Sequence, residues 1–300
     1  MTYAGAVLAH GPGGHEGGSG DVVGTVVTLG GSALVGVVAL AYVVAAVAER
    51  RRRGWPYVRA AMFVAGAAVL AFALSPRVDR FADASFSGHV AQHLLLAMLA
   101  PLGLVLGAPV TLALRTLPHR SAVGLGRLLR SRPVWVVTRP VVALTLSSGG
   151  LVLLYFTPLY DLTTRSQAVH VLVHLHMLLA GVLFAWVVAG PDPAPGRPGV
   201  PARLVVLGAA IAVHATVAQL LYAGLFVQVR EPVAQLQAGG NLMYYGGDVI
   251  ELMLALALLL TWRRTHEGPA TVRSRGPAVE AGIRRTTRPS PPSRAGSPAG

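Results

Sequence analysis

The chain has 300 residues, 53% hydrophobic and only 12% charged, against about 25% charged in a soluble domain. It has no cysteine, and its 25 basic residues (all arginine) against 12 acidic ones give a formal charge of +13. This excludes a soluble globular domain, disulfides, thiolate metal ligands and iron–sulfur clusters. Long apolar runs without ten-residue alternating strands point to an all-α integral membrane protein rather than a β-barrel.

In chain order, residues 1–21 are glycine-rich and carry His10, His15 and Glu16. They lack the basic and apolar regions of a cleaved signal peptide, so a flexible tail is expected. A transmembrane domain then covers residues 22–262. Its first span is expected over 22–48, closed by Glu49 and Arg50 to Arg53, and the second over 55–74. The third, over 89–109, reads HVAQHLLLAMLAPLGLVLGAP. An arginine-rich segment follows, with an interfacial helix at SAVGLGRLLRS. Further spans are expected over 141–157, 168–189, 202–227 and 241–262. Residues 263–300, rich in Pro, Arg, Ser and Gly, have little to bury and read as a disordered tail. Spans of about 20 residues match a hydrocarbon core of roughly 30 Å.

Seven spans place the termini on opposite sides. Of the 25 arginines, 21 fall on one side and 4 on the other. The positive-inside rule makes the rich side cytoplasmic, with the N-terminus outside and the C-terminus inside. The surplus charge follows topology, so nucleic acid is not an expected partner; lipid is.

This topology orders the histidines. His89 and His93 open the third span, and His170 and His174 open the fifth, each pair four residues apart on one helix face. His93 and His174 come to lie about 6–9 Å below the outer boundary. His214 falls near mid-membrane on the sixth span, and Asp248 and Glu251 on the seventh, with Asp248 roughly 12 Å deep. Ionisable groups within a membrane are costly and usually functional. Imidazoles with a carboxylate form a metal site, and Met177, Met98 and Met243 at a similar level favour copper, including Cu(I), over zinc. The expected ligands are His89, His93, His170, His174, His214 and Asp248. Met177, Glu251 and His176 are secondary candidates, and Gln92 is either an orienting group for a ligand or a plain hydrogen-bonding residue. His176 is rotated about 200° from His174 and reads as interfacial, like His119 and His266.

Two other uses of these groups compete: bis-His haem ligation between two helices, with His93 and His174 as a pair, and a copper or proton-coupled transporter. Few polar groups lie below His214, which gives a continuous path little support. No nucleophile–base constellation or phosphate-binding loop is present, so enzymatic turnover is not expected.

The blocks HVAQHLLLAMLAPLGLVLGAPVTLALR and FTPLYDLTTRSQAVHVLVHLHMLLAGVLFAWVVAGPDPAP, the mid-helix His214, and LQAGGNLMYYGGDVIEL together resemble the CtaG family of Gram-positive type. These are polytopic cytochrome c oxidase assembly factors linked to caa-type oxidases, distinct from the single-span copper chaperone of the same name. The resemblance covers residues 20–265. It implies a seven-helix protein of the bacterial plasma membrane that matures a haem–copper oxidase, with oxidase subunits and copper-handling assembly proteins as partners. His89, Gln92 and His93 match the first block, His170, His174 and His176 the second, and His214 the sixth-helix position. The last block departs from the family pattern: Gln235-Leu236-Gln237 and Met243-Tyr244 stand where relatives carry Asp-Gln and Met-Trp.

Overall fold

A computed structural model describes residues 19–266, and every regular element among them is helical. Five helices are long and apolar enough to cross a membrane: Leu29–Arg53, Phe86–Leu106, Gln167–Val188, Val200–Ala223 and Val233–Trp262. Two further helix pairs, bent at a short break, bring the number among the described residues up to seven if each pair is one span, consistent with a helical membrane protein. The apolar coat faces outward, with Leu34, Leu40, Leu172, Val205 and Leu252 exposed. Backbone groups must be satisfied internally in lipid, and helices do this alone.

Helix α1 (Ser19–Arg53) ends in its four arginines, and Gly54 turns the chain at φ 79°. Helix α2 (Tyr57–Ala73) is followed by α3 (Pro76–Ala84), bent away by 53°. The segment after the second span, to which the sequence assigns no element, is a short helix with proline at its first position. The third span starts earlier than expected. It comprises α4 (Phe86–Leu94), a π-helical turn (Leu95–Leu99) and α5 (Ala100–Leu106).

Pro101 accounts for that turn. It has no N–H to offer Ala97, so the regular ladder is interrupted there. Gly181 uses the opening: a Cβ on it would sit 1.9 Å from the Ala97 carbonyl oxygen. A helix carrying any larger residue at 181 could not come so close.

Helix α6 (Pro109–Thr116), the interfacial α7 (His119–Leu129) and α8 (Arg132–Val137) lead into α9 (Pro140–Phe156). Helix α10 (Leu159–Arg165) bends 77° from α9, and α11 (Gln167–Val188) follows. At the arginine-rich end, Asp192 accepts hydrogen bonds from the Val110 and Thr111 amides at 3.0 and 2.7 Å and caps α6. Arg197 and Arg203 donate to the Trp186 and Val188 carbonyls at the end of α11. Burial pushes the Arg197 guanidinium down to about 10.

Helix α12 (Val200–Ala223) ends four residues before the expected end of its span and is closed by Gly224 (φ 65°). Helix α13 (Val233–His266) begins eight residues before its expected start at 241. The glycine pair at 239–240, ahead of the expected start, therefore lies inside a helix. Of the two expected tails, only 19–21 and 263–266 fall among the described residues, and these are helical. His10, His15 and the rest of both tails lie outside them.

Candidate metal centre

Both histidine pairs are set by the same local device. Ser85 caps α4, its side chain accepting from the Gly88 amide at 3.0 Å, and Ser166 caps α11, accepting from the Val169 amide at 3.5 Å. The first histidine of each pair lies four residues beyond its cap; the His89 and His170 amides donate to the Ser85 and Ser166 carbonyls at 3.1 and 3.0 Å. Both helices start at the same end of the bundle, so the pairs arrive at the same depth.

There the four imidazoles meet. Ring centroids are 4.0 Å apart for His89–His93, 4.1 Å for His170–His174 and 5.2 Å for His93–His174. His89 lies 6.4 Å from both His170 and His174. Tyr160 on α10 presses edge-on against His89 at 5.0 Å, and Asp83 on α3 lies within electrostatic reach of His170. Neither neighbour was evident in the sequence, because each sits on a short helix bent over this end of the bundle.

Four ring nitrogens in the cluster are buried without a hydrogen-bond partner: His89 Nε2, His93 Nδ1, His93 Nε2 and His174 Nε2. Buried polar atoms are nearly always paired, so these suit a group that accepts lone pairs. Among the described residues, however, no three His, Asp or Glu side chains form a ready metal-ligating group. The rings pack tilted or edge-to-face rather than aiming their nitrogens at one point. The donor chemistry fits a soft or borderline cation, and holding one requires the imidazoles to turn about their side-chain torsions.

The remaining candidates divide. His214 is not in the ring cluster. Its Nδ1 lies 3.0 Å from Glu251 Oε1, and both side chains are buried. Its ring packs on Gly247, where a Cβ would sit 2.0 Å from His214 Cε1. Asp248 is exposed, off the packed face of α13, and joins neither group; the inward carboxylate is Glu251. His176 faces α9, with Nε2 3.2 Å from the Leu146 carbonyl oxygen. Gln92 is fully buried but hydrogen-bonds to no imidazole. Its Nε2 donates to the Ala73 carbonyl at 3.0 Å and to Asp79 Oδ1 at 2.6 Å, tying α4 to α2 and α3.

Beneath the cluster lies a cavity with about 90 Å³ of water-accessible space. His93 forms its roof, His214 and Glu251 line one wall, and Met98, Met177 and Met243 line it as well. Met177 thus serves the cavity rather than the ring cluster.

Comparison with known proteins gives a family and distant relatives. The sequence model of the family described as cytochrome c oxidase caa3 assembly factor matches residues 40–265. Uncharacterized proteins of Mycobacterium bovis and Mycobacterium tuberculosis are each 34% identical over 251 residues, covering 76% of this chain and 38% of theirs. One of Mycobacterium leprae is 33% identical over the same shares. The chain therefore spans 38% of the length of these relatives. No solved structure matches it.

Proposed function

The chain belongs to the family of cytochrome c oxidase caa3 assembly factors, and on that premise we propose that it holds copper as cargo at the four-imidazole cluster and helps to load it into the oxidase. The observation that carries this reading is the meeting of His89, His93, His170 and His174 with four unpartnered ring nitrogens. Imidazole is the commonest biological ligand for such an ion. Cargo must also be released, and a cluster one or two turns from a helix end suits exchange better than a deep, closed cage. In this reading the cluster faces the outside of a bacterial plasma membrane, with the N-terminus outside and the C-terminus cytoplasmic. The protein turns over no substrate. Its partners are oxidase subunits and other copper-handling proteins.

The packing of the rings favours a small ion over haem. A bis-His haem requires its macrocycle to pass between the two ligand rings, and His93 and His174 lie edge-to-face 5.2 Å apart. The test uses the purified chain and cells carrying it. Copper is expected in the wild-type protein. His93→Ala with His174→Ala, at normal membrane levels of the protein, is expected to lower both copper content and oxidase activity. Unchanged values would remove the proposed site, and a Soret band in the purified protein would replace copper by haem. Normal oxidase assembly in a deletion strain would end the assembly role.

A further inference from the structure

The cavity under the imidazole cluster is chemically different from the cluster itself. Its lining brings three thioethers, two imidazoles and a buried carboxylate into a mostly apolar space, with Ser147, Ser148 and Tyr155 as the other polar residues. The chain has six methionines. Met62 and Met253 are exposed on the outer surface of the bundle, whereas Met98, Met177 and Met243 all line this one cavity. Leucine fills a core as well and specifies it better, so packing alone gives no reason for all three inward methionines to meet here.

His214 supplies the second observation. With Glu251 ionised, His214 Nδ1–H donates to Glu251 Oε1 across 3.0 Å, which leaves Nε2 as the lone-pair nitrogen. Carboxylate–imidazole pairs of this kind fix the tautomer and the ring plane of metal-ligating histidines. Gly247 allows the arrangement, since any side chain there would occupy the place of the ring. The third observation is His93. It is 4% exposed, both of its ring nitrogens are unpartnered, and it borders both the cluster and the cavity.

We propose that this cavity is a second copper site, specific for Cu(I), built from Met98, Met177, Met243 and His214, with Glu251 as the positioning residue of His214 and His93 shared with the cluster above. The proposal rests on the reading of copper as the cargo. Thioethers are soft ligands that select Cu(I) over zinc and harder ions. The cavity has room for an ion and for side chains to rearrange around it. Passage from cluster to cavity exchanges imidazole for thioether ligands on an ion that stays Cu(I), so no electron moves and no co-reactant is needed. The cluster serves as the exchange point and the cavity, with its three thioethers, as the holding site.

The experiment is an anaerobic titration of the full chain in detergent with Cu(I) against bicinchoninate, with X-ray absorption at the copper edge after one equivalent. Sulfur scattering is expected in the wild type, along with more than one equivalent of copper in all. M98L/M177L/M243L is expected to lose the sulfur signal and the tight equivalent; because the triple variant perturbs packing, the three single Met→Leu variants are measured too, and each is expected to lower the sulfur amplitude in part. Glu251→Gln should weaken the tight site by about 10–100-fold while the sulfur ligands persist.

Copper bound with nitrogen scattering only would overturn the cavity site and leave the cluster reading standing. So would sulfur scattering unchanged in all the Met→Leu variants. A wild type that binds one sulfur-bound equivalent in all, unchanged in H89A/H174A, would support the cavity site and remove the cluster. Absence of copper binding in the wild type would overturn both.

Discussion

Gly247→Ala is the sharpest test of how α12 and α13 hold the His214–Glu251 pair. In an unconstrained helix this change stabilises, by roughly 1 kcal/mol, because alanine gives up less backbone freedom than glycine. Here the added Cβ would lie 2.0 Å from His214 Cε1 and 2.7 Å from Nδ1. No contact at those distances survives, so either the ring turns or the helices part. Overpacking costs about 1–3 kcal/mol. A turned ring also leaves the Glu251 carboxylate buried without its donor, for a further penalty of about 1–3 kcal/mol or more. The two costs together outweigh the propensity gain, and the net expectation is a loss of roughly 1–5 kcal/mol. Gly208→Ala on α12 is the matched control, since a Cβ there meets nothing within 4 Å, and it should leave stability unchanged or slightly higher. The assay is thermal unfolding of both variants in the same detergent, followed by circular dichroism. A Gly247→Ala protein as stable as the Gly208→Ala control would refute the close approach of His214 to α13, and with it the orientation assigned to the pair.

Four further outcomes are expected. Asp192→Ala removes the acceptor of the Val110 and Thr111 amides and should cost about 1–3 kcal/mol in unfolding measurements while leaving copper stoichiometry intact; loss of copper without loss of stability would show that the α6 cap acts on the metal site. Gln92→Leu should likewise lower the unfolding midpoint, through the lost ties to Ala73 and Asp79, without changing copper affinity; the reverse pattern would restore an orienting role for Gln92. His176→Ala should bind copper as the wild type does, because its ring is engaged by the Leu146 carbonyl, and a drop in stoichiometry would place it in the site. Gly181→Ala should destabilise strongly through the Ala97 carbonyl. If Pro101 sets that carbonyl's position, Pro101→Ala combined with it should give a non-additive cycle; simple additivity would separate the π-turn from the helix contact.

The long apolar runs made the spans legible, because each ends in arginine, proline or an acidic residue that cannot stay in lipid. What escaped was short or glycine-rich. Helices α3 and α10 are seven to nine residues long, below the length at which periodicity is informative, and they form only because tertiary contacts hold them over the ends of α2 and α9. The early start of α13 escaped because glycine pairs normally mark turns. In this chain they mark close approach instead: Gly240 would clash with the Tyr222 backbone and Gly247 with the His214 ring if either carried a Cβ. Tertiary packing overrides local propensity at both places.

The inward carboxylate shows how the site itself could have been read more closely. Asp248 and Glu251 differ by only about 60° around the helix, so depth and residue type do not separate them. The buried positions of α13 do: Leu236, Gly240, Met243, Gly247, Glu251, Leu254 and Leu258 follow one another at spacings of three and four, with Gly239 and Ala257 flanking them, the repeat of a single packed stripe. Glu251 belongs to it and Asp248 stands one residue off. The same kind of pattern runs through the cluster. Ser85-His89-His93 and Ser166-His170-His174 share a spacing of four and four, and a serine cap fixes where a helix begins. Two helices begun by the same device, at the same end of a bundle, bring their histidines to one level. The pairing across helices therefore follows from the register of each helix with its own cap. It predicts that moving a cap, by exchanging Ser166 with Gln167, would disturb the cluster even though no imidazole is changed.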